Sequence, residues 1–484
     1  MITPDFDYSK EQHRAIAFID MKSFYASVEC VARGLDPLTT SLCVMSHAAN
    51  SSGLILASSP TFKHVFGKAN VSRSRDLPFY MTTKKFNYQR YYQTATRDWL
   101  GKSAAPAKAQ VAFIESWAKQ TIVTPPRMSA YIEKNMEIQH IIQDFVALDE
   151  ICWYSIDEGF VDLTSSLNYF YPDATLHPAQ KLDLLCRDIQ QAILEKTGIY
   201  STIGMSIGNP LLAKLALDNA AKLAPNMRAL WTYANIETTV WQIPNLTDFW
   251  GINRRTEKRL HRLGIRSVYD LAHTHPAILK KEFGILGVQL FCHANGIDES
   301  TVFERYEAKA KTISNSQTLP RDYTNQREIE LVLAELAEQV AIRLRQAKKK
   351  TGLVALYVGY GFSDDTPSIH GQMSIEPTNS TEALTRFIRS IFRDKYEAGA
   401  VRRIAISYGQ LCEDNFELIS LFETDSLAKK HDTMQDVIDA IRQKYGFLSL
   451  QKATMLSAGS RAIARSQLVG GHSAGGLDGL SWQQ

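Results

Sequence analysis

Nothing in this chain reads as a disulfide framework or a membrane anchor. Its six cysteines (Cys30, Cys43, Cys152, Cys186, Cys292 and Cys412) are scattered, and none forms a C-x-x-C pair. That scatter argues against a secreted disulfide scaffold and predicts reduced, mostly buried thiols. No uninterrupted apolar run approaches a membrane span. Met1-Ile2-Thr3-Pro4-Asp5 lacks the charged-then-apolar pattern of a secretion signal, so a cytoplasmic protein is expected. An excess of one charge is missing too. The net charge is +3 at pH 7, so any basic surface must come from segregation of charge. What is present is ordinary globular composition, 45% apolar and 22% charged, over 484 residues. That length exceeds one core and points to about three or four domains.

The most informative stretch is Ser155-Ile156-Asp157-Glu158, with strand-like runs on both sides, Ile151 to Ile156 and Phe160 to Leu163. Near the N-terminus a third apolar run, Ala15 to Ile19, ends abruptly in Asp20. A solvated turn would account for the acid pair, and a helix N-cap would account for Asp20. If the strands pair, however, Asp20, Asp157 and Glu158 converge. Adjacent acids disfavour each other's ionised form unless a cation lies between them. Three hard oxygen ligands with no His or Cys nearby suit Mg²⁺. Such a cluster can hold two ions roughly 3.5–4 Å apart, the arrangement used in phosphoryl transfer; Mn²⁺ would also satisfy it.

Along the chain, Leu42 to Met45 and Ser201 to Ile207 read as further strands, and Leu54 to Ser58 is another short apolar stretch. Met128 to Phe145 and Leu182 to Leu194 have helical spacing. The stretch from Tyr80 to Pro126 reads as an irregular insertion followed by a helix. Gly208-Asn209-Pro210 opens another helix, which carries Lys214 and leads to Lys222. Strands alternating with helices argue an α/β or α+β domain. From Pro244 the pattern is helical, with Trp250-Gly251-Ile252-Asn253-Arg254 and Leu263-Gly264 at turns. After a Lys-rich linker, Tyr306 to Thr312, Glu328 to Lys350 reads as one long helix closed by Lys348-Lys349-Lys350 and Gly352. Leu353 to Tyr360, His370 to Ile375 and Arg403 to Leu411 read as strands, and Met434 to Tyr445 as a last helix. Beyond Ser457 the sequence has too little apolar content to pack well and is expected to be flexible.

Two segments carry a resemblance. Asp20-Met21-Lys22-Ser23-Phe24-Tyr25-Ala26-Ser27-Val28-Glu29 resembles the start of a Y-family DNA polymerase, the lesion-bypass class. Tyr154 to Thr164 resembles that family's second catalytic motif along its whole length. The resemblance covers roughly residues 14–425, and Met128-Ser129-Ala130-Tyr131-Ile132-Glu133 looks most like the UmuC-like bacterial branch. It implies a multidomain α+β right-hand polymerase. Residues 1–240 would form palm and fingers, with fingers inserted at about 48–125. Residues 241–305 would form a helix-hairpin-helix thumb, 313–425 a little finger, and 426–484 a partly flexible C-terminal extension. The activity implied is template-directed, error-prone translesion synthesis on primer-template DNA with deoxynucleoside triphosphates.

By the same resemblance, Asp20, Asp157 and Glu158 are the catalytic carboxylates and, with the Met21 carbonyl, the metal ligands. Phe24 and Tyr25 lie beneath the incoming sugar, Tyr25 as the gate against a ribose 2′-hydroxyl; both rings could equally be core residues. Lys222 holds the triphosphate, although its spacing from Lys214 is one residue longer than in some family members. Gly251, Asn253, Arg254 and Gly264 form a hairpin whose amides bind duplex phosphate. Lys348 to Lys350 fit either a DNA contact or a solvated helix end.

The chain departs from the family at two places. Where a Tyr and an Arg are expected to clasp the triphosphate, Thr61 and Lys63 or His64 stand, with Arg73 and Arg75 nearby. A Lys holds phosphate as a point charge and loses the bidentate fork. Leu421 and Phe422 match the apolar anchors of a sliding-clamp peptide, but its Gln is missing, and a buried strand end would read the same way. A sliding clamp and an accessory subunit are the protein partners the resemblance suggests. The rival readings are a catalytically silent DNA- or clamp-binding scaffold of the same fold, and a nucleotide cyclase with a palm-like core. Intact Asp20, Asp157 and Glu158 disfavour the first, and the helical hairpin disfavours the second.

Overall fold

The apolar run that ends in Asp20 becomes β1 (Arg14–Met21), the centre of the sheet on which the candidate site is built. The computed structural model describes residues 6–46, 53–66, 72–93, 108–303, 312–361, 364–414, 425–469 and 472–473. The chain divides into two units, Met1–Tyr306 with His472–Gln484, and Glu307–Gly471. Both combine mixed or antiparallel sheets with helices, an α+β construction.

In the first unit, β1 is followed by α1 (Phe24–Val31), β2 (Leu42–Met45), β3 (Leu54–Ser58), α2 (Pro60–Phe66) and β4 (Ser72–Arg73). Then come α3 (Tyr88–Gln93), α4 (Lys108–Gln120), β5 (Ile122–Thr124), α5 (Met128–Gln143), β6 (Ile151–Trp153) and β7 (Glu158–Asp162). α6 (Ser166–Phe170), α7 (Pro178–Thr197), β8 (Ser201–Gly208), α8 (Pro210–Ala216) and β9 (Arg228–Thr232) follow. The order in the larger sheet is β6-β7-β1-β8-β9, with β1 antiparallel to both neighbours. A smaller sheet has the order β4-β3-β2-β5. β5 was not read from sequence, because three residues carry no periodicity; its parallel pairing with β2 creates it.

The acid-bearing strand differs from expectation. It stops at Trp153, residues 154–157 form the turn, and Glu158 begins β7. Asp20 is no helix cap; it lies within β1, and Ser23, at φ 52°, precedes α1. Asn209 does cap α8, its side chain accepting the Leu212 amide at 3.0 Å with Pro210 at the first helical position. Helical turns α9 (Arg254–Arg262), α10 (Val268–Ala272), α11 (Pro276–Phe283) and α12 (Ile285–Ala294) complete this unit around Phe249, Leu260, Leu271 and Leu290.

Register decides which side chains share a face. Period two along β1 puts Ile16, Phe18 and Asp20 on one side. Ile16 and Phe18 pack there against Ala213 and Leu217. The Arg14–Asp162 ion pair, with Asp162 fully buried, pins the far end of the β1–β7 pairing. A slip of one residue would send Asp20 to the opposite face.

The second unit contains β10 (Thr312–Tyr323), α13 (Gln326–Gln346), β11 (Lys349–Tyr360), β12 (Ile369–Thr378), α14 (Thr381–Lys395), β13 (Val401–Glu413), α15 (Asp425–Tyr445) and α16 (Ala462–Ser466). Its antiparallel sheet has the order β10-β13-β11-β12, with α13 and α14 packed on it. Two expectations fail here. The long helix stops at Gln346, and Lys348 turns the chain at φ 52°. Lys349 and Lys350 therefore start β11 and pair with Glu413 and Asp414, so neither Gly352 nor a lysine run closes a helix. The described stretch after Ser457, residues 458–469, packs despite its polarity. Ser460 and Arg465 donate to the buried Glu335 at 2.6 and 3.1 Å, and Ala462 is buried. The buried Glu335 of α13 stands in for the apolar contacts the segment lacks.

Gly204 of β8 is the tightest point beneath the site. A Cβ there would lie 2.0 Å from the Ala213 carbonyl and 2.4 Å from the Leu217 amide, both backbone. Gly204→Ala is expected to cost about 3 kcal/mol or more, read as a lower urea midpoint.

Candidate active site

Asp20 lies directly across from Glu158 in the β1–β7 register, one pair beyond Ile19 and Gly159. Next to them the Met21 amide donates to the Asp157 carbonyl at 2.9 Å, which folds the turn over the end of β1. Pairing thus brings the three sequence-predicted carboxylates to one sheet end. Asp20 and Asp157 border a cavity of about 540 Å³ lined also by Met21, Lys22, Phe24, Tyr25, Lys63 and Lys222, among others, and Glu158 stands beside Asp20 in the register.

Burial, aided by Glu158, raises the Asp20 pKa against the opposing pull of Lys222. Burial, then the charges of Asp20 and Glu158, pushes Asp157 up to about 6. Lysines answer these charges. Lys222 lies 3.5 Å from Asp20 and 2.7 Å from Asp218. Burial opposes its charge, but the two carboxylates outweigh that and hold its pKa above the ordinary lysine value. Lys214, almost fully buried, donates to Glu158 at 3.1 Å and sits 4.2 Å over the Phe18 ring. The Tyr154 hydroxyl donates to the other Glu158 oxygen at 3.0 Å.

The spacing between Lys214 and Lys222 has a structural basis. Leu217–Ala221 form a π-turn, closed by the Lys222 amide on the Leu217 carbonyl at 3.2 Å. A π-turn takes up one residue more than an α-turn, so Lys222 still reaches Asp20.

Among the described residues, no three His, Cys, Asp or Glu side chains are gathered closely enough to enclose a metal as they stand. The donor set nevertheless fits a hard divalent cation. Its carboxylates are desolvated and mutually repelling, no nitrogen or sulfur ligand intrudes, and the Met21 backbone borders the same cavity.

The remaining predicted residues divide. Phe24 is buried and Tyr25 half-buried at the cavity wall. Lys63 reaches the cavity and donates to the Ser23 hydroxyl at 3.0 Å. His64, one residue on, is exposed and does not line it. Thr61 turns away to donate to the Leu38 carbonyl at 2.6 Å, and neither Arg73 nor Arg75 lines the cavity. Gly251 (φ 94°) and Gly264 (φ 82°) flank α9 in left-handed turns, as their sequence positions suggest. The Asn253 side chain accepts the Arg255 and Thr256 amides at 2.9 and 3.0 Å, so two amides expected to face a phosphate are capped internally. Arg254 is the first residue of that helix. Leu421 and Phe422 lie outside the described residues.

Lys22 is the residue that sequence reasoning missed. It lines the cavity, and burial lowers its pKa. The signal was its place two residues after Asp20, in the turn that leads from β1 into α1. A second missed group stands behind the aromatic wall. Glu29 of α1 is fully buried and accepts from Arg127 at 2.9 and 3.0 Å, from the Tyr131 hydroxyl at 2.9 Å, and from Arg33. Burial pushes its carboxyl up, but these donors outweigh it and hold the pKa below the ordinary value.

Residues 105–218 match the impB/mucB/samB family, and residues 310–421 match the impB/mucB/samB family C-terminal domain. The chain is 30% identical over 467 residues to the putative UV-damage repair protein UvrX of Bacillus subtilis, covering 96% of this chain and 99% of that one. It is 30% identical over 463 residues to DNA polymerase IV 2 of the same organism, covering 95% and 99%. It is also 30% identical over 341 residues to DNA polymerase IV of Moorella thermoacetica, covering 69% and 79%.

Glu29→Gln removes the charge that Arg127 and Arg33 surround. The loss is expected to be about 2–3 kcal/mol at pH 7, below the ~3–5 kcal/mol of a fully buried pair because both guanidiniums keep some solvent. A depressed carboxyl stabilises above its unfolded value, near 4.5, and the contribution fades as pH falls through the folded value. Urea midpoints of wild type and variant should therefore differ at pH 7 and converge toward pH 3.

Proposed function

Because the chain belongs to the impB/mucB/samB family of bacterial Y-family DNA polymerases, we propose that it extends primers on damaged templates. It is a DNA-directed DNA polymerase of the translesion class. The observation that carries the reading is the Asp20–Glu158 register pair, with Asp157 folded over it, at the rim of a cavity walled by lysines and aromatics. The five-stranded sheet is read as the palm, the four-stranded sheet of the first unit as the fingers, α9–α12 as the thumb and the second unit as the little finger.

Asp20, Asp157, Glu158 and the Met21 carbonyl are the groups that would hold divalent metal. When bound, Mg²⁺ supplies an activated primer 3′-hydroxyl and charge neutralisation at the pyrophosphate. The protein's own part is charge placement and shape. Lys222 and Lys63, joined by Lys22, present ammonium groups for the triphosphate, in place of the Tyr/Arg clasp. Lys214 orients Glu158 through their 3.1 Å contact. Tyr25 gives the sugar a flat apolar floor. Gly251, Asn253, Arg254 and Gly264 would steady the duplex through the amides left uncapped and the basic face of α9. A clamp contact at Leu421 and Phe422, an accessory subunit and a cytoplasmic location complete the proposal. No described helix is long and apolar enough to cross a membrane.

Primer extension on undamaged and abasic templates with Mg²⁺ tests the reading. Wild type should extend both, and Asp157→Ala/Glu158→Ala should lose on the order of 10³-fold, the equivalent of several kcal/mol of charge stabilisation. A wild-type protein that binds DNA without extending it would favour the silent scaffold instead. Lys63→Ala should raise KM for the nucleotide by roughly 10–100-fold, the value of one charge-assisted hydrogen bond, in single-nucleotide insertion assays.

A further inference from the structure

Tyr25 does not stand alone at the cavity wall. Its ring stacks on Tyr131 of α5, with centroids 4.4 Å apart and planes 13° from parallel. Tyr131 is fully buried. Its hydroxyl donates to Glu29 at 2.9 Å. Glu29 lies four residues after Tyr25, on the same side of α1. The loop is therefore closed: Tyr25 to Glu29 through the helix, Glu29 to Tyr131 through a hydrogen bond, and Tyr131 back to Tyr25 through the stack. Arg127, the residue before α5, fastens the acid corner with two bonds. Arg33, in the turn just after α1, fastens it as well and reaches the Thr124 hydroxyl of β5 at 3.0 Å.

A ring that excludes a hydroxyl by collision works only as well as it resists being pushed. With space behind it, the ring would turn aside and admit the larger sugar. With a close-packed partner behind it, the collision cannot be relieved. We propose that Tyr131, tethered by Glu29 and Arg127, is a positioning residue for sugar selectivity, the backstop that fixes the plane of Tyr25. This rests on the reading of Tyr25 as the residue beneath the incoming sugar.

Single-nucleotide insertion kinetics with deoxy- and ribonucleotides decide it, measured on wild type, Tyr25→Ala, Tyr131→Leu, Tyr131→Phe and Tyr25→Ala/Tyr131→Leu. Tyr131→Leu should lower the deoxy-to-ribo ratio of kcat/KM roughly tenfold, the scale of a ring freed to leave its rotamer. The change should come from faster ribonucleotide insertion, whereas a merely structural loss would slow both sugars alike. Tyr131→Phe keeps the stack and removes only the tether. It should fall between wild type and Tyr131→Leu, and it decides the matter if the leucine variant does not fold. In the Tyr25→Ala background, Tyr131→Leu should change selectivity no further. Wild-type selectivity in both Tyr131 variants beside a relaxed Tyr25→Ala overturns the backstop alone, as do additive effects in the double variant. Unchanged selectivity in Tyr25→Ala overturns the reading of Tyr25 and the backstop with it.

Discussion

Like charges drawn together out of water repel, and Asp20, Asp157 and Glu158 are drawn together by strand register. Much of the surrounding architecture answers that repulsion. Arg14 and Asp162 hold the register that creates it. α8 and the turn after it bring Lys214 and Lys222 against the same sheet face. Gly204 lets that helix approach closely enough to do so. The lysines relieve the repulsion only in part, since Asp20 and Asp157 both keep raised pKa values. That residual frustration is what a divalent cation would relieve.

The site was more legible than its surroundings. An apolar run ending in an acid, and a second acid pair between two strand-like runs, are local patterns with a fixed period, and the pairing of β1 with β7 follows from them. Asn209 before Pro210 announced its helix equally well. Other features depend on partners far away in sequence. Lys348 to Lys350 looked like a helix end because the acids they answer, Glu413 and Asp414, lie more than sixty residues on. The segment after Ser457 looked unable to pack because its anchor is a buried glutamate on α13. β10 carries an almost wholly polar sequence, and its pairing with β13 makes it a strand. His64 and Lys63 could not be separated by sequence alone, since a single residue step of about 100° around α2 decides which of them meets the cavity.

A lysine wall has a different physical character from an arginine fork. Lys22 and Lys63 are both partly desolvated, and burial works against their charge. An ammonium in that position is held less by its surroundings than a guanidinium would be, so an anionic ligand contributes more of its stabilisation. Binding and charge would then be coupled: the cavity becomes electrically comfortable when a polyanion and its cations occupy it together.

The π-turn at Leu217–Ala221 also sets the bearing of Lys222. One residue more or fewer inside an α-helix rotates everything beyond it by about 100°, which would swing Lys222 off Asp20. The widened turn holds one residue more than an α-turn within the same advance, and Lys222 keeps its contact with Asp20. A turn of this kind accommodates a change of length between Lys214 and Lys222 while preserving what each lysine faces. The carboxylate a lysine touches is therefore a steadier marker of its place than its residue count.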